Sequence, residues 1–162
     1  MERSVEVKIL KPELMKTLSQ NGGLPFYATA SSAGVDLLAC LPESVTIPGD
    51  GTAFIPTGIA VYLKDPSLCA VVMSRSGLGT KQGLVVKQGV GLIDADYQGE
   101  IMVAIHNISH EPKVIQPGDR IAQMVLMPVF RAQWVAVEDF TSATARGAGG
   151  FGSTGVSVSV TQ

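Results

Sequence analysis

The chain has 162 residues, 46% hydrophobic and only 16% charged, with net charge −2 and mean hydropathy +0.29. That length favours one domain with ample core material. The slightly acidic balance excludes an extended nucleic-acid-binding surface but leaves room for a compact cationic pocket. No run approaches membrane-spanning length, and the opening MERSVEVKIL lacks a secretion-signal core, so a cytoplasmic protein is expected.

Val5, Val7 and Ile9 alternate with Glu6 and Lys8, which predicts a half-buried strand. Pro12 to Leu18 suits one helical turn, and Gln20 to Ser32 is loop. Val35 to Leu41 reads as a strand interrupted by Asp36. Val45 to Ile47, Thr52 to Ile55 and Gly58 to Leu63 follow as short strands, with Pro56 separating the last two. Leu68 to Met73 is an apolar run. It ends at Ser74-Arg75-Ser76-Gly77-Leu78, a turn leading into a short helix. Leu84 to Val86 is a strand. Gly89 to Ile105 then reads as a hairpin with Asp94, Asp96 and Tyr97 at its mouth. Val114-Ile115 and Ile121 to Val129 flank a Gln-Pro-Gly-Asp turn, and Ala132 to Val137 is the last expected strand. Many short strands with Gly/Pro punctuation predict an all-β sandwich or jelly roll with at most one short helix. The expected division is a domain over 1–140 and a Gly-rich arm over 141–162.

The low charge suggests that surface is buried against other copies. Cys40 and Cys69 lack motif spacing and sit in apolar runs, so both are expected as buried thiols. His106 and His110 on a strand stand roughly 13 Å apart and cannot share an ion. Both are expected to be structural or exposed. Asn107-Ile108-Ser109 matches a glycosylation sequon and carries no weight without a secretion signal.

The GxGxxG within Arg146 to Gly155 follows no strand, so it is no dinucleotide fingerprint. Its Arg, hydroxyls, glycines and Phe151 suit a phosphate clamp with a ring cover, although a linker has similar composition. Arg75 and Ser76 suit anion binding at a strand-to-helix turn, or a helix cap. Asp94 and Asp96 suit a turn, or one carboxylate activating water beside a phosphate. Asp36 is unusual inside a strand, and a buried, paired or metal-water role would explain it.

Five segments in order resemble the trimeric dUTPase family. They are Ala33-Gly34-Val35-Asp36-Leu37, Arg75-Ser76-Gly77-Leu78, Gly91 to Gly99, Pro117 to Gln123, and Arg146 to Gly155. The resemblance implies a β jelly roll (β-clip-like) assembled as a homotrimer, with active sites at subunit junctions and the arm closing over a neighbour's site. It implies Mg²⁺-assisted hydrolysis of dUTP to dUMP and pyrophosphate, which limits uracil in DNA and supplies dUMP for thymidylate synthesis. The alternatives are a dCTP deaminase of the same fold and a non-catalytic dUTP-binding regulator.

The resemblance also assigns roles. Asp94 would activate the water that attacks the α-phosphorus, and Tyr97 would pack under deoxyribose and exclude a 2′-hydroxyl. The backbone around Gly89 to Ile93, including Gly91 and Leu92, would pair with the uracil edge and leave no room for a 5-methyl group, with Gln88 and Met102 beside it. Arg75, Ser76 and Gly77 would bind phosphate, with Ser76 polarising the bridging oxygen. Asp36 and Gln123 would hold waters on Mg²⁺, with no direct protein ligand. Arg146, Ser153 and Thr154 would grip the terminal phosphates, Phe151 would stack on the base, and Gly152 would also belong to the substrate-binding set. Gln88 stands where close relatives often carry Asn, offering the same amide on a longer stem. Ser74 stands where Pro is frequent, and little effect is expected.

Overall fold

The computed structural model describes residues 3–150. Its first compact unit is Met1–Arg131 and its second is Ala132–Gln162. The first unit contains β1 (Glu6–Ile9), α1 (Pro12–Leu18), β2 (Val35–Leu38), β3 (Val45–Ile47), β4 (Thr52–Tyr62) and β5 (Leu68–Met73). Then come α2 (Ser76–Gln82), β6 (Leu84–Val86), β7 (Val90–Ile93), β8 (Glu100–Asn107), β9 (Lys113–Ile115) and β10 (Arg120–Pro128).

Among the described residues the strands form two four-stranded sheets, β1-β4-β8-β6 and β2-β10-β5-β7, and a separate β3-β9 pair. Every pairing is antiparallel. Ile55, Ile101, Val103 and Ile105 of the first sheet share one core with Leu37, Ala70, Val72, Ala122 and Met124 of the second. Each fully buried aliphatic side chain contributes about 1.5–3 kcal/mol, so this core dominates stability.

Four expectations are corrected. Pro56 does not end a strand: β4 runs through it, with a register shift between Pro56 and Ala60. A bulge tolerates a residue without an N–H, and Gly58 turns it with φ +70°. Two seven-residue helices are present where at most one was expected. In α1, Pro12 suits the first turn and Met15 is buried. In α2, the chain ends in left-handed Gly83, whose N–H meets the carbonyls of Gly79 and Leu78.

The Gly89-to-Ile105 stretch is not a hairpin. Strand β7 pairs with β5 and β8 pairs with β4 and β6, so the bend between them crosses from one sheet to the other. Finally, 132–137 is not a strand. It pairs with no strand among the described residues, and Trp134, Val135 and Val137 are exposed. A β-prone sequence without a ladder partner has no place for its backbone groups.

Candidate active site

The turn after β5 is tied down from three sides. Asp36 on β2 faces Gln123 on β10, and Gln123 faces Met73 on β5. The side chain of Gln123 donates through Nε2 to the Ser74 carbonyl (3.0 Å). The Ser74 hydroxyl accepts from the Val86 N–H (2.8 Å), so this residue, expected to matter little, joins the turn to β6. Arg75 Nε pairs with Asp36 Oδ1 at 2.8 Å, and Arg120 Nη1 with Asp36 Oδ2 at 3.2 Å. Arg75 Nη1 also donates to the Arg120 carbonyl (3.1 Å). Asp36 is therefore paired, one of the three roles its odd position suggested. Its side chain is 10% exposed, so two cations beside it offset the cost of burying its charge.

Ser76 opens α2 and is exposed. Arg75 in the N-cap position makes no side-chain cap, so the first-turn N–H groups have no such partner. No atom lies within 4 Å of where a Cβ would stand on Gly77, which leaves room for a bound group to reach the backbone.

The second group lies in the bend after β7. The N–H of Tyr97 closes a turn onto the Asp94 carbonyl (3.2 Å), and Asp94 is exposed. The Tyr97 hydroxyl donates to the Glu100 carbonyl (2.9 Å). Its ring lies so close over Gly99 that a Cβ there would stand 2.5 Å from the hydroxyl oxygen. Glycine at 99 thus sets where the ring sits. Asp94 and Asp96 line a cleft of about 650 Å³ with Tyr62, Leu92 and Arg131. Among the described residues strand β7 is a sheet edge, so one side of its backbone at Gly91, Leu92 and Ile93 has no strand partner there. The Gln88 amide nitrogen lies 3.5 Å from the Cβ position of Gly91, over this edge. Met102 is 46% exposed on β8, in the other sheet.

The two groups do not meet within one chain. Ile93, the residue before Asp94, faces Ala70 on β5. Arg75 lies five residues beyond Ala70 with an extended backbone, so about 17 Å of strand separates the acid from the arginine. Between them, the face of the second sheet away from the core carries Cys69, Val71, Met73, Val90, Leu92, Val125 and Met127. Cys69 and Val71 are buried on this side, whereas Val90, Leu92 and Met127 are exposed. The outer face is thus apolar from Met73 toward the Asp94 end, and polar at the other end, where Gln123 and Asp36 lie.

Arg146 belongs to the second unit. Its Nε donates to the Gly149 carbonyl (3.0 Å), and the Gly147 N–H meets the Thr144 carbonyl (3.0 Å), forming a local turn. Phe151, Gly152, Ser153 and Thr154 lie outside the described residues.

Several side readings hold. Nδ1 of His106 donates to the Gly51 carbonyl (2.8 Å), and exposed His110 sits 3.3 Å from Asp50. Cys40 and Cys69 are buried free thiols, and burial pushes the Cys40 thiol up. The sequon residue Asn107 is fully buried. Its amide donates to the carbonyls of Ile47, Pro48 and Glu111, a tie that sequence reasoning missed. Among the described residues no three His, Cys, Asp or Glu side chains could hold a metal together.

Comparison with known proteins identifies the family. The dUTPase family profile matches residues 20–155. A deoxyuridine 5′-triphosphate nucleotidohydrolase of Cronobacter sakazakii is 51% identical over 155 residues, covering 96% of this chain and 99% of that protein. The protein of the same name from Shigella flexneri is 50% identical over 156 residues, with the same coverage. Among solved structures, a mutant dUTPase of Staphylococcus bacteriophage 80alpha with dUpNHpp superposes with TM-score 0.79 at 27% identity, covering 96% of this chain and 100% of that one. A mutant dUTPase of phage phi11 of S. aureus, described for its coordination of a structural Mg(II) ion, gives 0.72 at 25% identity, covering 86% and 100%. With its motifs in order, its predominantly β fold and half of its residues shared with curated relatives across nearly the full length, the chain belongs to the dUTPase family.

Proposed function

We propose that the chain hydrolyses dUTP to dUMP and pyrophosphate at sites shared between copies of itself, assembled as a trimer of jelly-roll domains. The reaction rests on family membership and on relatives that are half identical along nearly the whole chain. The sharing rests on one observation. Asp94 and the Arg75-Ser76 turn stand about 17 Å apart along β5, whereas their roles converge on a single phosphorus. Reacting groups must come within about 3–3.5 Å. The apolar outer face of the second sheet joins these two ends. Copies packed by that face bring the acid end of one toward the arginine end of the next.

In this reading Asp94 takes a proton from water as its oxygen bonds to the α-phosphorus. The bond to the bridging oxygen breaks, and pyrophosphate leaves. Ser76 donates to that bridging oxygen, and the free donors of Arg75 balance the charge on the leaving group. The open backbone side of β7 at Gly91, Leu92 and Ile93 pairs with the uracil edge, helped by the Gln88 amide and bordered by Met102. Tyr97, held by Glu100 and seated on Gly99, packs under the sugar and leaves no space for a 2′-hydroxyl. The arm, with Arg146, Phe151, Gly152, Ser153 and Thr154, closes over a neighbouring copy's site.

The donor set fits Mg²⁺ held chiefly by the triphosphate and water. A single carboxylate, Asp36, and the Gln123 amide face each other across β2 and β10, groups whose oxygens accept hydrogen bonds from metal-bound water. Asp36 and Gln123 would hold the ion's waters, and the ion would neutralise phosphate charge. No helix among the described residues is long and apolar enough to cross a membrane, and two buried free thiols suit the reducing cytoplasm in which we place the protein.

Pyrophosphate release from dUTP with Mg²⁺, combined with mass determination in solution, tests the reading. Turnover by a species of three chains is expected. An inert lone chain would overturn it.

A further inference from the structure

Arg120 has no part in the chemistry described so far, yet it closes a ring with two residues that do. Arg75 Nε holds Asp36 Oδ1, Asp36 Oδ2 holds Arg120 Nη1, and the Arg120 carbonyl holds Arg75 Nη1. We propose that Arg120 is a positioning residue for the phosphate-binding guanidinium of Arg75, acting through both its side chain and its main chain. This rests on the reading of Arg75 as a phosphate ligand.

A β-bulge makes the ring possible. Gln123 faces Asp36, so regular alternation would place Ile121 opposite Leu38 on the outer face and turn Arg120 inward. Instead the register shifts between Arg120 and Ala122, and Arg120 itself faces Leu38. Ile121 and Ala122 both enter the core, at 1% and 0% exposure. Arg120 is thereby turned onto the face that carries Asp36. A bulge that buries an extra aliphatic residue and re-aims a cation onto a site carboxylate has the form of a site-building device.

The ring also sets what Arg75 can do. A guanidinium has five N–H donors, and Arg75 uses one on Asp36 and one on the Arg120 carbonyl. The other three remain for oxyanions, held in one plane by the two fixed contacts. Two cations against one carboxylate leave the ring with a net positive charge for a polyphosphate. Without the Arg120 side chain, Asp36 Oδ2 loses its partner and Asp36 is free to rotate away from Arg75. The Arg120 side chain is 50% exposed, so packing does not account for its placement.

Steady-state kinetics on dUTP with Arg120→Ala, Arg75→Ala, the double variant and Arg120→Lys test the proposal. Arg120→Ala should lower kcat/KM by about 10- to 100-fold, mostly through KM, with an unchanged solution mass. Arg120→Lys keeps a cationic donor for Asp36 and should recover most of the loss. In the Arg75→Ala background, Arg120→Ala should cost less than about twofold, because the group it positions is gone. Equal factors in both backgrounds would show that Arg120 acts independently of Arg75 and overturn the proposal alone. A silent Arg75→Ala would overturn both the proposal and the phosphate-turn reading beneath it.

Discussion

If each site draws its acid from one copy and its arginine from another, two crippled chains can repair each other. Asp94→Asn removes the base and Arg75→Ala removes the phosphate grip. Each variant alone should lose at least about 100-fold in turnover, the usual contribution of a positioned acid–base group. The separation of about 17 Å along β5 prevents both groups of one chain from serving one phosphorus. In a 1:1 mixture assembled at random, half the acid donors and half the arginine donors are intact. About a quarter of the sites then contain both, and activity should rise roughly 25-fold above either variant. The assay is pyrophosphate release after the two chains are co-expressed, or unfolded and refolded together. Separately purified assemblies mixed just before measurement serve as the control. Activity no greater than the mean of the two variants would refute the shared-site argument.

Deleting the chain from Arg146 onward should leave a folded assembly with less than about a tenth of normal kcat/KM, read by pyrophosphate release and solution mass. Gly99→Ala would put a Cβ 2.5 Å from the Tyr97 hydroxyl and move the ring, so the preference for dUTP over UTP should fall several-fold in competition assays. Gly58→Ala combines φ +70° with a Cβ 2.6 Å from the Cys40 sulfur, and should lower stability by about 2–4 kcal/mol in denaturant titration.

The strands were legible because Gly and Pro punctuate them and their apolar residues alternate. What the pattern cannot encode is which strand pairs with which. Leu92 and Ile101 sit in strands separated by one bend, so they read as a hairpin, but β7 takes its partner from some twenty residues upstream. Pro56 reads as a break because proline lacks an N–H, but at a bulge that N–H is not needed. Val135 and Val137 have strand propensity, and propensity without a ladder makes no strand. In the site, Asp36 was visible as an anomaly, since a carboxylate within a strand needs a reason. Arg120 was not visible, because beside Pro117-Gly118-Asp119 it reads as the end of a turn. Its role appears only when the bulge brings it across to β2. The tie from Ser74 to β6 was hidden for the same reason: the partner of its hydroxyl lies twelve residues away.

The second sheet leaves Val90, Leu92 and Met127 exposed on its outer side, so an isolated chain presents greasy surface to water. Dilution should act on this protein twice. In the proposed trimer it uncovers a surface that favours sticking to the wrong neighbour, and it would dismantle the shared catalytic centres themselves. For three-fold assembly the population of complete sites falls as the cube of free chain concentration in the dilute limit, so specific activity should depend on abundance. A cell making too little of this protein would lose more activity than it loses protein.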